Sequence, residues 1–388
     1  MFFTTRNCKL CNKQVSKEEV IPYLKIYGAG PLSYSVLQSG MSYFLIPNKG
    51  AIAFKEILNR RFVLADPLCA IENIHELVYE FNNESKKLKK RPVYCQISEK
   101  VARSCEAEGF YINSLGVENI IDPQNFQVTW KKRKGLKRYC SKLYNSAEKI
   151  TIKELPDSKI DYAQLKIISK EWLKKKAGKK ELQFMARPMV YDYEQDVRRF
   201  YGFRDQVLVA FCTFDPCYKN NDVYAYSLNN LRINHEAPSG ILDYIIVTAI
   251  NTFKNEGQHT FHLGLSPLYN LDLFLSNAQK EIIENTVEKA LHAAQQEIKI
   301  DDIMISIAEK NIHNYISNLA KASFSKEAKT TNFIIKFLYR YTNFLYSFKN
   351  LGLHKDRYKP FKRQTYVASM KASTWFDILL LLKLNNVF

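Results

Sequence analysis

The sequence predicts an α/β (α+β) fold of two consecutive units, residues 1–150 and 151–388, with a helical insertion at about 271–330 in the second. Three observations predict it. Short strand-like apolar segments alternate with amphipathic helical segments up to residue 150, the same order returns after residue 151, and residues 271–330 carry helical periodicity with charged outer faces. A chain of 388 residues, 46% of them hydrophobic, is long enough to bury two cores.

The first unit begins with predicted strands and hairpins up to about residue 60, because apolar runs alternate with turn signals such as Gly28-Ala29-Gly30-Pro31. A strand is expected at 61–67, a helix at 71–81, a strand at 92–97 and a helix at 101–109. The order of these elements is typical of a layered α/β fold.

The densest charge follows at 131–138, where six of eight residues are basic. This run is either the solvated start of a helix or a face that contacts phosphates, because clustered basic side chains release counterions from a nucleic acid backbone. The candidate substrate-binding residues in it are Lys131, Lys132, Arg133 and Lys134.

The second unit repeats the pattern with a predicted helix at 160–176 and strands at 207–214 and 223–228. Its central stretch, 232–268, starts with a turn at Pro238-Ser239-Gly240, continues as a helix from Ile241 that Gly257 ends, and returns as a strand at 259–263 before a turn at Gly264. The apolar tail at 375–382 is expected to pack against the fold, with an interfacial membrane anchor as the alternative.

A formal charge of +18 and a pI near 9.3 predict a polyanionic partner, either nucleic acid or an anionic membrane face. We expect a cytoplasmic protein, at most peripheral at the inner face of the cell membrane, because neither a signal peptide nor an apolar window of ~20 residues is recognised. The eight cysteines are interpreted as reduced thiols. Cys8 and Cys11 have the spacing of half a zinc site, but no partner pair is evident, so neither a metal nor a cofactor is expected.

Seven short motifs between about residues 60 and 368 follow one another in a family-like order. They are Ala65-Asp66-Pro67; Arg91-Pro92-Val93-Tyr94-Cys95-Gln96; Gly109-Phe110 through Leu115-Gly116, Asp122, Phe126 and the basic run; Ser169-Lys170-Glu171-Trp172-Leu173; Leu231-Arg232 with 237–243; 263–268; and 346–351 with Lys355, Tyr358-Lys359-Pro360 and Tyr366-Val367-Ala368. Together they resemble the soluble C-terminal part of the phosphatidylglycerol lysyltransferases.

This resemblance implies two tandem GNAT-like acyltransferase domains that move an amino acid from aminoacyl-tRNA to a hydroxyl of a membrane lipid such as phosphatidylglycerol. It implies two partners, aminoacyl-tRNA and an anionic phospholipid or membrane surface, which meet in a tunnel from opposite sides. Arg232 would orient the aminoacyl ester or its phosphate, and Asn229 would line the amino-acid pocket. Lys349 and Lys355 are candidate phosphate contacts. The plainer interpretations are a surface ion pair for Arg232, a strand-end turn for Asn229 and a solvated basic loop for the lysines.

The chain departs from the family pattern at three positions. Asn229 lies where an acidic residue is usual, and an amide can accept a hydrogen bond from the amine of the amino acid but supplies no charge. Met185 replaces a common serine, and Ser114 a common lysine. The amino acid, or the reaction itself, is therefore left open.

Three classes of function remain. A transferase acting directly on positioned substrates is consistent with the absence of a Gly-x-Ser-x-Gly nucleophile motif. A CoA-dependent N-acyltransferase would need a glycine-rich pyrophosphate loop, for which 237–240 is a poor substitute. A catalytically inactive protein that binds tRNA or a membrane surface is favoured only by Asn229. His235, His259 and His262 are possible proton carriers but are more often structural at such positions, and Asp243 is interpreted as structural.

Overall fold

The computed structural model describes residues 15–156, 159–176, 179–269, 324–327, 348–371 and 375–386. In these residues the chain forms one sheet of twelve strands and eight α-helices, so the predicted α/β class is confirmed. The strands are β1 Ser42–Ile46, β2 Gly50–Ile57, β3 Arg60–Leu64, β4 Leu68–Cys69, β5 Arg91–Ile97, β6 Tyr111–Ile121, β7 Ile150–Glu154, β8 Arg198–Arg204, β9 Val207–Lys219, β10 Asp222–Ile233, β11 Thr260–Pro267 and β12 Phe361–Ser369. The helices are α1 Lys17–Tyr27, α2 Ile74–Lys87, α3 Glu99–Ala107, α4 Trp130–Tyr144, α5 Tyr162–Lys174, α6 Ile241–Asn255, α7 Phe348–Asp356 and α8 Trp375–Leu384.

The sheet is continuous across the proposed boundary at residue 150. Its strands lie in the order β1-β2-β3-β5-β12-β6-β11-β10-β9-β8-β7, with β4 paired to β2. Strand β12 lies between β5 and β6 and is antiparallel to both, so residues 361–369 complete the middle of the sheet. The division into units 1–150 and 151–388 stays a prediction. The insertion expected at 271–330 lies outside the described residues except for 324–327.

The central stretch forms the predicted helix and strand, α6 and β11. Gly240 precedes the helix with a φ of 90° and Gly257 follows it with a φ of 79°, a backbone region where side chains other than glycine are strained. The predicted end of the strand at residue 263 was wrong. Strand β11 continues to Pro267, because Gly264, with a φ of 78°, absorbs a register shift against β6 rather than ending the pairing.

Helix α1 contradicts the prediction that the first 60 residues form only strands and hairpins. Pro22 lies inside this helix. The overlooked signal was the N-terminal pair Ser16 and Glu19, because the Glu19 carboxylate accepts a hydrogen bond from the Ser16 amide at 2.8 Å. Val20 and Leu24 are buried and pack against the sheet.

Two large apolar clusters cover different halves of the sheet. Helix α6 covers strands β8–β11 with a buried stripe that includes Ile245, Ile250 and Phe253. Helices α2 and α3 cover the strands of the first half. Within the described ranges, every helix is too short or too polar to cross a bilayer.

Candidate functional site

A cavity of about 310 Å³ opens where strands β10 and β11 part. The two strands pair in parallel over only three residues, 225–227 with 260–262. Beyond these residues β10 keeps only its pairing with β9, and β11 only its pairing with β6. The gap between them is closed by the segment 181–187 and by side chains from α5, α7 and α8. Apolar lining is extensive. The polar side chains that line the cavity are Ser35, Gln96, Glu181, Arg187, Asp215, Ser227, Asn229, Asn230, Arg232, Lys355 and Asn385, of which Arg187 and Asp215 are paired with each other.

A β-bulge in β10 positions two of these polar residues. Leu228 pairs with Phe214 and Leu231 with Cys212, so Asn229 and Asn230 together oppose one residue of β9. Such a bulge changes the direction in which the side chains point. The Asn230 amide donates to the Thr213 hydroxyl oxygen at 3.3 Å, whereas the buried Asn229 Nδ2 has no hydrogen-bond partner among the described residues. Asn229 therefore retains a free donor at the cavity.

Arg232, predicted as the leading site residue, is buried in the cavity wall. Its guanidinium donates to the Glu181 carboxylate at 2.5 Å and to the Asn230 side-chain oxygen at 2.9 Å, and it lies 4.1 Å from the centre of the Trp172 ring. Burial lowers the pKa of Arg232, and Glu181 partly offsets that effect. Its Nε is buried without an acceptor in the described part of the chain. Arg232 is thus fixed on one side and retains one donor.

Glu181 is the site residue that the sequence did not suggest. One carboxylate oxygen accepts from Arg232, while the other, Oε1, is buried and has no donor among the residues described. Glu181 lines the same cavity as Asn229, so the cavity wall contains an acid although position 229 does not. The only hint in the sequence was a single glutamate directly after Lys179 and Lys180.

Lys355, on helix α7, also lines the cavity. Its ammonium donates to the Leu265 carbonyl at 2.7 Å, and a methyl group at Gly264 would lie only 3.6 Å from it. Burial lowers the pKa of Lys355 to about 7, although the Glu118 carboxylate raises it. Near neutral pH this amine is therefore populated in both its charged and its neutral form, which a general base or acid requires.

The lowered pKa of Lys355 predicts a pH-dependent stability. Between pH 7 and 10.5 the unfolded chain binds a proton at this position that the folded chain does not, so the free energy of unfolding should rise with pH in that window. Replacing Lys355 by Met removes this dependence and should stabilise the protein at and below pH 7, by at most about 5 kcal/mol. Urea unfolding of both proteins across that window measures the difference, and parallel pH profiles would contradict the assignment.

The basic run lies in the first turns of helix α4. Lys131, Lys132 and Lys134 are exposed. Arg133 instead turns inward, where it donates to the carbonyls of Tyr358 and Gln127, both at 2.8 Å. Its backbone is non-helical at φ −139° and ψ 56°, so this residue connects α4 to the segment after α7. The predicted phosphate contact therefore depends mainly on the three lysines.

The remaining candidate residues lie in several places. Met185 lines the cavity, and Ser114 is buried beside Gln364. His235 and His259 are exposed and do not line the cavity. His262 is buried in the sheet, where desolvation lowers its pKa to about 3, so it is neutral and does not carry protons near pH 7. The side chain of Lys349, and Cys8 with Cys11, lie outside the described residues.

Asp243 connects helix α6 to the segment that carries Lys355. Its buried carboxylate accepts from the Tyr358 hydroxyl at 2.6 Å, the Arg357 guanidinium at 3.1 Å and the His354 ring at 3.0 Å. Burial raises the pKa of Asp243, but these three donors more than offset it and lower the value. These contacts are consistent with a structural role, in which Asp243 fixes the segment 354–358 to α6.

The fold and the cavity define an α/β domain with a largely apolar cavity, lined by several polar side chains, between two parting strands. The chain belongs to the family described as phosphatidylglycerol lysyltransferase, C-terminal, whose model matches residues 22–369. It is 26% identical over 268 residues to the phosphatidylglycerol lysyltransferase of Bacillus subtilis (strain 168), which covers 69% of this chain and 31% of that protein. The corresponding protein of Staphylococcus xylosus is 25% identical over 247 residues, 63% of this chain and 29% of the relative. The chain thus spans less than a third of the length of these relatives.

Two solved structures have the same fold. The structure of L-PGS from Bacillus licheniformis superposes with a TM-score of 0.68 at 20% identity and covers 97% of this chain and 99% of that one. The C-terminal domain of a putative lysylphosphatidylglycerol synthetase from Agrobacterium fabrum gives a TM-score of 0.67 at 16% identity, over 95% and 98% of the two chains.

Proposed function

We propose that the chain transfers an amino acid from aminoacyl-tRNA to a hydroxyl of a membrane lipid such as phosphatidylglycerol. One observation carries the proposal. Three buried polar atoms without partners in the described residues, Arg232 Nε, Glu181 Oε1 and Asn229 Nδ2, belong to one cavity that also contains a lysine with a pKa of about 7. Unpaired buried polar atoms are costly, so a cavity that collects them is suited to a polar ligand. The names of the relatives, phosphatidylglycerol lysyltransferase, are consistent with this choice of reaction.

The amino acid of the donor fits the wall formed by β10 and the segment 181–187. The free Glu181 Oε1 would accept hydrogen bonds from an ammonium group of the amino acid, in a site where a charge-assisted bond is strong. The Asn229 amide would donate to a neutral oxygen nearby. Glu181 thereby provides the charge that is absent from position 229.

The reaction needs a proton to move from the lipid hydroxyl to the ribose oxygen that leaves. The neutral Lys355 amine accepts the proton as the hydroxyl oxygen bonds to the ester carbonyl carbon, and the resulting ammonium donates it to the ribose oxygen as the ester bond breaks. The free donor of Arg232 stabilises the oxyanion of the tetrahedral intermediate. The atoms and charges balance without a cofactor or a covalent enzyme intermediate.

The tRNA partner would contact the exposed lysines of α4. Replacing Lys131, Lys132 and Lys134 by Gln is expected to weaken tRNA binding and to reduce the slope of log Kd against log salt by about 2 to 3, because each phosphate contact contributes close to one. Filter binding at several salt concentrations measures both quantities. A matched variant with Lys153, Lys166 and Lys175 replaced should change them much less, and equal effects of the two variants would contradict a specific face.

A peripheral position at the cytoplasmic face of the membrane follows from the proposed reaction, because the donor is a cytoplasmic RNA and the acceptor is a lipid. Expression of the chain in a host that lacks aminoacylated lipids tests the function. A new amine-containing phospholipid should be present in the lipid extract by mass spectrometry, and its mass identifies the amino acid. An unchanged lipid profile with soluble, folded protein would favour the inactive binding protein instead.

A further inference from the structure

Helix α8, which follows the part of the chain matched by the family, has three different faces. Leu380, Leu381 and Leu384 are buried against the sheet. Ile378 and Leu382 line the cavity. Leu379, 42% exposed, and Phe376 are directed to solvent. An apolar surface is therefore exposed on the helix that forms one wall of the proposed transfer site.

The exposed face of α8 adjoins the turn between β2 and β3. Arg60, at the start of β3, donates to the Asp377 carboxylate at 2.7 Å, and its guanidinium lies 4.8 Å from the centre of the Phe376 ring. Leu58, two residues earlier, is 68% exposed at the tip of the turn. It adopts a φ of 53°, which a leucine rarely does. A large apolar side chain thus projects from a strained turn beside α8.

The end of α2 is fixed next to the same turn, because the Lys90 ammonium donates to the Leu58 carbonyl at 3.1 Å. Leu88 is 53% exposed there, between exposed lysines. Met370, also exposed, follows Ser369 of β12, which pairs with Val93 near the start of β5. We call the combined surface the docking face. It consists of Leu58, Leu88, Met370, Phe376 and Leu379 with Lys86, Lys87, Lys89, Lys371 and Lys383.

Acidic residues beside the docking face do not neutralise its lysines, because each is already paired with another cation. Glu56 accepts from Arg61 and Lys90, both at 2.9 Å, and Asp377 from Arg60. Glu84 is bound by Arg61 at 3.0 Å. The docking face therefore presents apolar tips surrounded by positive charge.

We propose that the docking face binds an anionic lipid bilayer. Interfacial binding has two components. Apolar side chains enter the headgroup region, and lysines around them attract the anionic headgroups. A second copy of the chain fits less well, because a two-fold contact would bring each set of five lysines against the other. The partner's identity rests on the proposed function, which needs a lipid acceptor at the cavity that α8 lines.

Vesicle sedimentation without tRNA tests the docking face separately from the reaction. The probe is the full chain with vesicles of phosphatidylcholine, with or without phosphatidylglycerol. Leu58→Asp and Leu379→Asp together should lower the partition coefficient on phosphatidylglycerol vesicles at least about tenfold. Asp tolerates the positive φ at residue 58, so this change leaves the turn unstrained. Val207→Asp, on the β8–β9 hairpin, is the control and should bind like the wild type, because Val207 is 51% exposed, between Leu379 and Leu58.

Charge is tested by replacing Lys86, Lys87 and Lys89 with Gln, which should weaken binding to the anionic vesicles by about fivefold per lysine at low salt. The same change at Lys153, Lys166 and Lys175 should have little effect.

Three results would overturn the docking face: wild-type protein that ignores anionic vesicles, variants that bind as well as the wild type, or a wild-type dimer in light scattering that Leu379→Asp converts to monomer. Failure of the proposed function is separate, since it would leave vesicle binding intact while no aminoacylated lipid forms.

Discussion

Replacing Arg232 by Ala is expected to lower the rate of amino acid transfer by about 10²- to 10³-fold, the usual effect of removing one oxyanion donor. Arg232 combines three contacts at the cavity wall, to Glu181, to Asn230 and to the face of Trp172, with one donor, Nε, that has no acceptor among the described residues. The variant also leaves Glu181 without its cation, so binding of the donor should weaken as well. Single-turnover kinetics with charged tRNA and lipid vesicles separate the two effects.

The companion variants sharpen this prediction. Glu181→Gln keeps the shape of the side chain but removes its charge, so it should raise KM for the charged tRNA more than it lowers kcat. Arg204→Ala, which removes a surface arginine that pairs with Glu148, is the matched control and should transfer at the wild-type rate. Loss of activity in Arg204→Ala, or full activity in Arg232→Ala, would be inconsistent with the proposed site.

Replacing Lys355 by Met should reduce transfer by about 10²- to 10⁴-fold, because general base catalysis contributes that much. In the wild type, activity should rise as the pH increases through about 7, since only the neutral amine accepts the hydroxyl proton. The variant should lose this inflection. A pH series of single-turnover rates measures it in both proteins.

Lys355→Arg distinguishes the base from a simple phosphate contact. Arginine keeps the positive charge but does not give up its proton near pH 7. Near-normal activity of Lys355→Arg, or wild-type activity that falls as the pH rises through 7, would assign Lys355 to phosphate binding, as the sequence first suggested.

A helix or strand could be predicted where the residues that determine it are close together in the sequence. Helix α6 has apolar residues at helical spacing between Gly240 and Gly257, so its type and limits follow from the sequence alone. Helix α1 was missed because the apolar runs and turn signals of the first 60 residues were interpreted together as strands and hairpins, whereas the hydrogen bond between Ser16 and Glu19 at the start of the helix depends on geometry. The position of β12 between β5 and β6 had no local signal, because strand pairing at that separation is decided by the packing of the whole sheet.

The candidate site could be predicted only in part, because some of its residues have no signal near them in the sequence. Arg232 and Lys355 lie in recognisable motifs, and the structure brings both to one cavity. Glu181 lies in a segment without regular secondary structure, so no periodicity indicated where its side chain points. Its importance depends on a contact with Arg232 across 51 residues. Conversely, the sequence does not distinguish Arg133 from its basic neighbours, although the kinked start of α4 turns its side chain inward.

The most direct measurement of the central claim is the transfer of a radiolabelled amino acid from purified, charged tRNA to phosphatidylglycerol vesicles by the purified chain. The label should move into the organic phase with the wild type and Arg204→Ala, and transfer should be lost when the tRNA is digested beforehand or when Arg232 is replaced by Ala. Label that stays with the tRNA for the folded wild type, across all charged tRNAs offered, would contradict the account.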